Sequence, residues 1–159
     1  IEYLRNLIVI GWASIIFGCI LFFADHKFKS KRKWEELKIW EIIMVGCFQV
    51  LSFIPGASRA GVIITGARFL NVKRESAAIF SMLLSIPIIL ASLTLSLFDF
   101  YLMESIEINL SQASFSAFIA FITALISIHT MMRILQFTNF NIFIVYRIIL
   151  GIVLLVFYG

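Results

Sequence analysis

The feature that most constrains this chain is a succession of long apolar stretches parted only by short polar turns. Residues 7–24, 77–98, 113–134 and 143–158 are almost uninterrupted by charge. About 20 apolar residues in a helix cross the hydrocarbon core of a bilayer, which is roughly 30 Å thick. Lipid offers no hydrogen-bond partners, so such stretches satisfy their own backbone groups and fold as α-helices. Composition points the same way. The chain is 62% hydrophobic and 14% charged, with a mean hydropathy of +1.04. An average soluble domain is about half apolar and about a quarter charged. A water-soluble fold is therefore not expected. The 159 residues have room for about four to six passes and no separate soluble domain. The expectation is an all-α polytopic membrane protein forming a single membrane domain over residues 1–159.

The sequence begins at Ile1 rather than Met, with an apolar run close behind, and so reads as a piece of something longer. Residues 7–24 exceed the usual apolar core of a signal peptide and no small-x-small cleavage site follows, so they read as a retained span. Cys19 and Cys47 sit singly in apolar stretches. They form no CxxC pair and read as small buried hydrophobes.

The net charge of +4 does not indicate nucleic acid, because the basic residues concentrate in one loop. Lys27, Lys29, Lys31, Arg32, Lys33 and Lys38 lie in or beside residues 26–38, which the positive-inside rule assigns to the cytoplasm. Asp99, Glu104 and Glu107 occupy a segment, residues 99–112, without Lys or Arg, which fits the outside. The lipid bilayer is the partner that composition implies.

Residues 39–72 do not fit this regular alternation. They are too long for one pass, and Pro55-Gly56 interrupts them near the middle. After Arg59 only about a dozen residues remain before Lys73-Arg74, too few to span at 1.5 Å each. The spacing predicts a re-entrant helix-loop-helix: Ile39 to Ile54 descends, the loop turns at depth, and Ala60 to Val72 returns to the same side.

Non-helical backbone at membrane depth has to be buried in protein or line a polar cavity. The loop reads Pro55-Gly56-Ala57-Ser58-Arg59-Ala60-Gly61, and an intramembrane arginine marks a functional site by default. Gly56 and Gly61 permit close backbone approach, and Ala57 and Ala60 keep the loop narrow. Ser58 is a good N-cap for the returning helix, whose first free N–H groups suit phosphate. Arg59 adds a planar fork for bidentate contact with phosphate oxygens. Together these features point to a phosphate-bearing ligand, although Arg59 also suits a purely local role on loop carbonyls. Gln49 either faces the same cavity or bonds a neighbouring helix. Glu41 is expected at the interface, and Arg68 as a snorkelling or helix-pairing residue. His129 is expected to be structural and partly wet, and Arg147 to anchor the last helix.

Several of these residues carry a resemblance. Gly46-x-x-Gln49 with Ile54 to Gly61, Arg74 to Pro87 (RESAAIFSMLLSIP), and Tyr146-Arg147-Ile148-x-x-Gly151 resemble the bacterial undecaprenyl-diphosphate phosphatases of the bacitracin-resistance type. The likeness covers most of the chain from Gly46 onward. It implies an enzyme that hydrolyses undecaprenyl diphosphate to the monophosphate carrier in the bacterial inner membrane, supporting cell-wall synthesis and bacitracin resistance. It also implies an inverted-repeat fold in which a second hairpin, rich in Glu and bearing Ser and His, comes from an N-terminal part and faces the arginine loop. Nothing before Gly46 matches that hairpin, so this chain reads as the C-terminal portion, inactive by itself. A divalent cation, Mg or Ca, is implied by the resemblance with ligands in that N-terminal part, and no metal ligand is expected here. The site residues implied are Arg59 and Ser58 for catalysis, with Gly56, Ala57, Ala60, Gly61 and Gln49 binding substrate. A homodimer is compatible with the resemblance. One departure stands out: that loop usually reads Ser-Arg-Ser-Gly, and Ala60 replaces the second Ser, removing a hydroxyl donor of about 1 kcal/mol.

Two other readings remain open on sequence alone. Broken helices whose termini face an anionic substrate also mark transporters and flippases, and the loop also suits a packing role in a structural membrane subunit.

Overall fold

A computed structural model of the chain describes residues 7–29, 31–102 and 110–158. Among the described residues six α-helices follow one another: α1 Leu7–Lys27, α2 Ile39–Phe48, α3 Arg59–Phe69, α4 Arg74–Leu102, α5 Leu110–Phe137 and α6 Asn141–Tyr158. Short 3₁₀ turns form at Trp34–Glu36 and Gln49–Phe53. Among the described residues four helical segments are long and apolar enough to cross a membrane: Leu7–Lys27, Arg74–Asp99, Ser111–Leu135 and Asn141–Tyr158. The chain is an all-α, multi-pass membrane protein. Asn6, Glu104 and Glu107 lie outside the described residues, while Asp99 continues α4 beyond the expected stretch of apolar sequence.

The chain divides into two compact units. The first comprises Ile1–Leu84 with Thr138–Gly159, and the second Ser85–Phe137. In the first unit α1 and α6 pack antiparallel, with small residues at the crossing. A Cβ on Gly151 would stand 2.7 Å from the Gly11 carbonyl oxygen, so the two backbones meet where neither carries a side chain. Such close approach is how membrane helices gain van der Waals contact when lipid is as apolar as their own surfaces.

α2 and α3 form a folded-back pair. Gly66 of α3 lies against Phe48 and Val45 of α2, within 3.4 Å of where its Cβ would be. Their outer ends are stitched together by backbone: Lys31 N and Arg32 N donate to Asn71 O at 3.0 and 3.1 Å, and Lys73 N donates to Arg32 O at 2.9 Å. The segment leading into α2 and the segment leaving α3 are therefore neighbours. α2 is 10 residues long and α3 is 11, about 15–17 Å each at the helical rise.

A buried ion cluster closes the same end of this unit. Asp25, near the end of α1, receives Arg74 Nε at 2.8 and 3.1 Å and lies 3.0 Å from Arg68 Nε. Arg68 also donates to Val72 O at 2.6 Å, Asp25 O at 2.9 Å and Phe28 O at 2.8 Å. Its side chain is buried and serves helix pairing; snorkelling does not occur. Glu41 is likewise buried rather than interfacial, because it accepts both guanidinium nitrogens of Arg32 at 2.8 and 2.9 Å and caps α2 through Lys38 N at 2.7 Å.

The second unit contains the later part of α4, which continues through Pro87, and α5. Its described side chains are mainly exposed apolar groups such as Leu95, Phe115 and Ile126. Lipid-facing surface has this character. His129 is exposed. Cys19 and Cys47 are free and exposed, contrary to the expectation of burial. Each lies on a face of its helix that no other described element covers.

Candidate anion-binding site

The polar turn between α2 and α3 docks on α1. Gly56 has φ +93°, and a Cβ there would stand 2.6 Å from the Ile10 carbonyl oxygen. Only glycine fits both the dihedral and the space. The Gly56 carbonyl accepts Arg147 Nη2 of α6 at 2.7 Å, and Ser14 Oγ of α1 lies at 3.5 Å. Ile10 to Ser14 is well over two helical turns from Asp25 along α1, about 16 Å at the nearest. The turn thus sits far from the stitched, basic end of the pair.

From that anchor the chain enters α3. Ala57 is fully buried and its N–H donates to Ile54 O at 3.0 Å. Ser58 is exposed, with φ 58° and ψ 110°. A non-glycine residue held at positive φ costs of the order of 1–3 kcal/mol and tends to occur at functional positions. Its Oγ accepts Gly61 N at 3.3 Å, which caps α3. Val62 N then donates to Ser58 O at 3.0 Å. Among the described residues no acceptor meets the N–H groups of Ser58, Arg59 and Ala60. Arg59 and Ala60 are exposed. The Arg59 side chain makes no ion pair among the described residues. Free N–H groups at a helix start, an adjacent guanidinium and the positive end of the helix dipole are what an oxyanion needs.

The structure brings Gly56, Ala57, Ser58, Arg59, Ala60 and Gly61 together in one turn. Gln49 terminates α2, is 9% exposed, and leaves its Nε2 buried without a partner. Two residues gained importance only in three dimensions. Arg147, which sequence reads as an anchor of its own helix, also holds the Gly56 carbonyl across to the turn. Asp25 is the hub of the ion cluster. Both were detectable as charges inside or at the end of apolar helices, where charge is expensive.

Among the described residues no group of three or more His, Cys, Asp or Glu could hold a metal ion. Asp25 is engaged by arginine and Glu41 by Arg32. These residues do not fit a cation site.

A multi-pass helical membrane protein with a broken helical pair, bearing a capped helix start and a free arginine at its turn, is the class that fold and site define. The chain belongs to the bacitracin resistance protein BacA family, which matches residues 1–153. It is 40% identical to the undecaprenyl-diphosphatase of Dinoroseobacter shibae over 98% of this chain and 58% of that protein. It is 36% identical to the undecaprenyl-diphosphatase of a Ruegeria species over 97% of this chain and 57% of that protein. A third, from Roseobacter denitrificans, is 39% identical over 98% and 58% respectively. The chain thus spans under two thirds of the length of these curated relatives.

Proposed function

We propose that this chain carries the diphosphate-binding part of an undecaprenyl-diphosphatase, which releases inorganic phosphate from undecaprenyl diphosphate and returns the monophosphate carrier to cell-wall synthesis. The observation that carries this reading is the turn at Ser58 to Ala60. There, among the described residues, three N–H groups without acceptors and an Arg59 without an ion pair stand together as one positive patch. Phosphoryl transfer depends chiefly on positioning and on stabilising charge at the transferred group. Arg59 grips phosphate oxygens in bidentate fashion, and the backbone donors meet the charge that develops on them. Each preorganised donor in a water-poor site contributes about 3 kcal/mol. Ser58 caps α3 through its Oγ and offers its hydroxyl hydrogen to the ligand. Gln49, at the end of α2, is a further candidate donor, because its buried Nε2 has no partner.

The stitched ends of α2 and α3, together with their half-membrane lengths, support a re-entrant hairpin that starts and finishes on the cytoplasmic side. The turn would then lie near mid-depth in the bacterial plasma membrane, with the resemblance favouring access from the outer face. The resemblance supports an inverted repeat whose opposing hairpin brings the nucleophile and general acid. A divalent cation belongs with that hairpin. The bilayer and the lipid diphosphate are the partners, a homodimer is compatible with them, and bacitracin resistance follows from faster carrier recycling.

The test measures inorganic phosphate released from undecaprenyl diphosphate in detergent, by the chain alone and with a separately purified N-terminal portion of a BacA relative. Release that requires both and falls at least a hundredfold in Arg59→Ala, roughly one such donor's worth, is expected. Near-normal turnover by a folded Arg59→Ala protein would remove Arg59 from the mechanism.

A further inference from the structure

Among the described residues Arg147 is a charge without a counter-charge. It lies inside α6, a helix apolar enough to cross a membrane, where an arginine costs about 2.5–3.5 kcal/mol to insert even by the mildest scales. No carboxylate pairs with it among the described residues. Its hydrogen bond is to the Gly56 carbonyl at 2.7 Å, through Nη2. A guanidinium has five N–H donors, so most of its fork is left for another acceptor. Nη1 turns toward the first turn of α3 and stands 2.8 Å from where a Cβ on Gly61 would be. Gly61 is therefore a glycine whose missing side chain leaves room for this cation. The side chain is half-buried, so water cannot fully screen it.

Three sources of positive potential converge on one turn: the start of α3 with its free N–H groups, Arg59 and Arg147. Proteins do not gather like charges in a low-dielectric setting without something to neutralise them, because mutual repulsion and desolvation both oppose it. We propose that Arg147 is a second phosphate-binding cation of the site. One side of its fork holds the Gly56 carbonyl and so fixes the turn, while the other contacts an oxygen of the bound diphosphate. This rests on the reading of the turn as a lipid-diphosphate site and adds a residue from a different helix. It predicts a preference for diphosphate over monophosphate lipid, because two guanidinium groups match two phosphoryl groups.

The experiment measures binding of farnesyl diphosphate and farnesyl phosphate to the purified chain in detergent, for the wild type, Arg147→Gln, Arg147→Lys and Arg59→Ala. Gln keeps a donor for the Gly56 carbonyl but carries no charge, so a purely structural anchor tolerates it. The expected result is a loss of about tenfold or more in diphosphate affinity for Arg147→Gln, the scale of one charge-assisted contact. A smaller loss for the monophosphate and partial recovery in Arg147→Lys are expected with it. Wild-type affinity in Arg147→Gln overturns the proposal while leaving the turn as a site. Absence of binding by the wild type overturns both. Where Arg147→Gln fails to fold, mass spectrometry of phenylglyoxal-modified wild type decides: Arg147 protected by farnesyl diphosphate supports the contact, and equal modification with and without it refutes it.

Discussion

The carboxylate of Asp25 and the guanidinium of Arg68 lie 3.0 Å apart, with side-chain exposures of 0% and 1%, and join the end of α1 to the end of α3. Arg74, from the start of α4, shares the same carboxylate. Removing one member of such a cluster strands charge in a dry setting, which costs about 3–5 kcal/mol. Asp25→Asn is therefore expected to lower the thermal midpoint of the detergent-solubilised protein sharply. Arg74→Gln should have the milder effect, because Arg74 is 29% exposed and water can take its place. Equal midpoints for wild type and Asp25→Asn would show that the cluster does not hold the helices.

Gly56→Ala tests the docking of the turn. The added methyl would press on the Ile10 carbonyl at 2.6 Å in a backbone region closed to L-residues. We expect a loss of the order of 1–3 kcal/mol in stability and weaker diphosphate binding. Gly46→Ala, with nothing within 4 Å of its Cβ, is the matched control and should leave both nearly unchanged.

Ala60→Ser would place a hydroxyl at the second position of α3, where the backbone N–H already lacks an acceptor. One added neutral hydrogen bond to phosphate is worth about 1 kcal/mol, or roughly fivefold in affinity for a diphosphate lipid. Unchanged affinity, measured by titration with farnesyl diphosphate, would mean that the ligand does not reach this side of the turn.

Acid should loosen the start of the hairpin. The Glu41 carboxyl is pulled down to about 2, first by the hydrogen bond from Arg32 and next by the Lys38 N–H, whereas an unperturbed glutamate titrates near 4.3. Its folded value lies below its unfolded one, so its contribution is complete above about pH 4–5 and disappears as pH falls toward 2. Hydrogen exchange of the Lys31 to Glu41 amides should accelerate across that window. Glu41→Gln should exchange quickly at every pH, and a flat profile in the wild type would break the assignment.

The spans were legible because an apolar stretch has few options in lipid; the period and length of apolar sequence determine a helix before any partner is known. The broken pair was legible for a related reason. Pro55-Gly56 in the middle of residues 39–72 leaves two pieces too short to cross, and Ser58 at a helix start is a local capping signal. Resemblance to a family extended the proposal for this turn from a phosphate-bearing ligand to a lipid diphosphate. Burial was less legible. Cys19 and Cys47 have the composition of core residues but lie outside, since a membrane protein can be apolar on both faces.

Which charges meet was beyond local sequence. Asp25 is far from Arg68 and Arg74 in the chain, and Arg147 is separated from Gly56 by most of the protein. Ion pairs and side-chain contacts to backbone at such separations depend on how the helices cross, and that crossing is set by glycines such as Gly11 and Gly151. The sequence alone determined the all-α membrane architecture and the Ser58 cap at the start of α3, because both follow from local backbone and solvent preferences. Only the tertiary structure decided that the turn rests on α1 and is gripped by α6, because close packing alone brings a carbonyl and a distant guanidinium together.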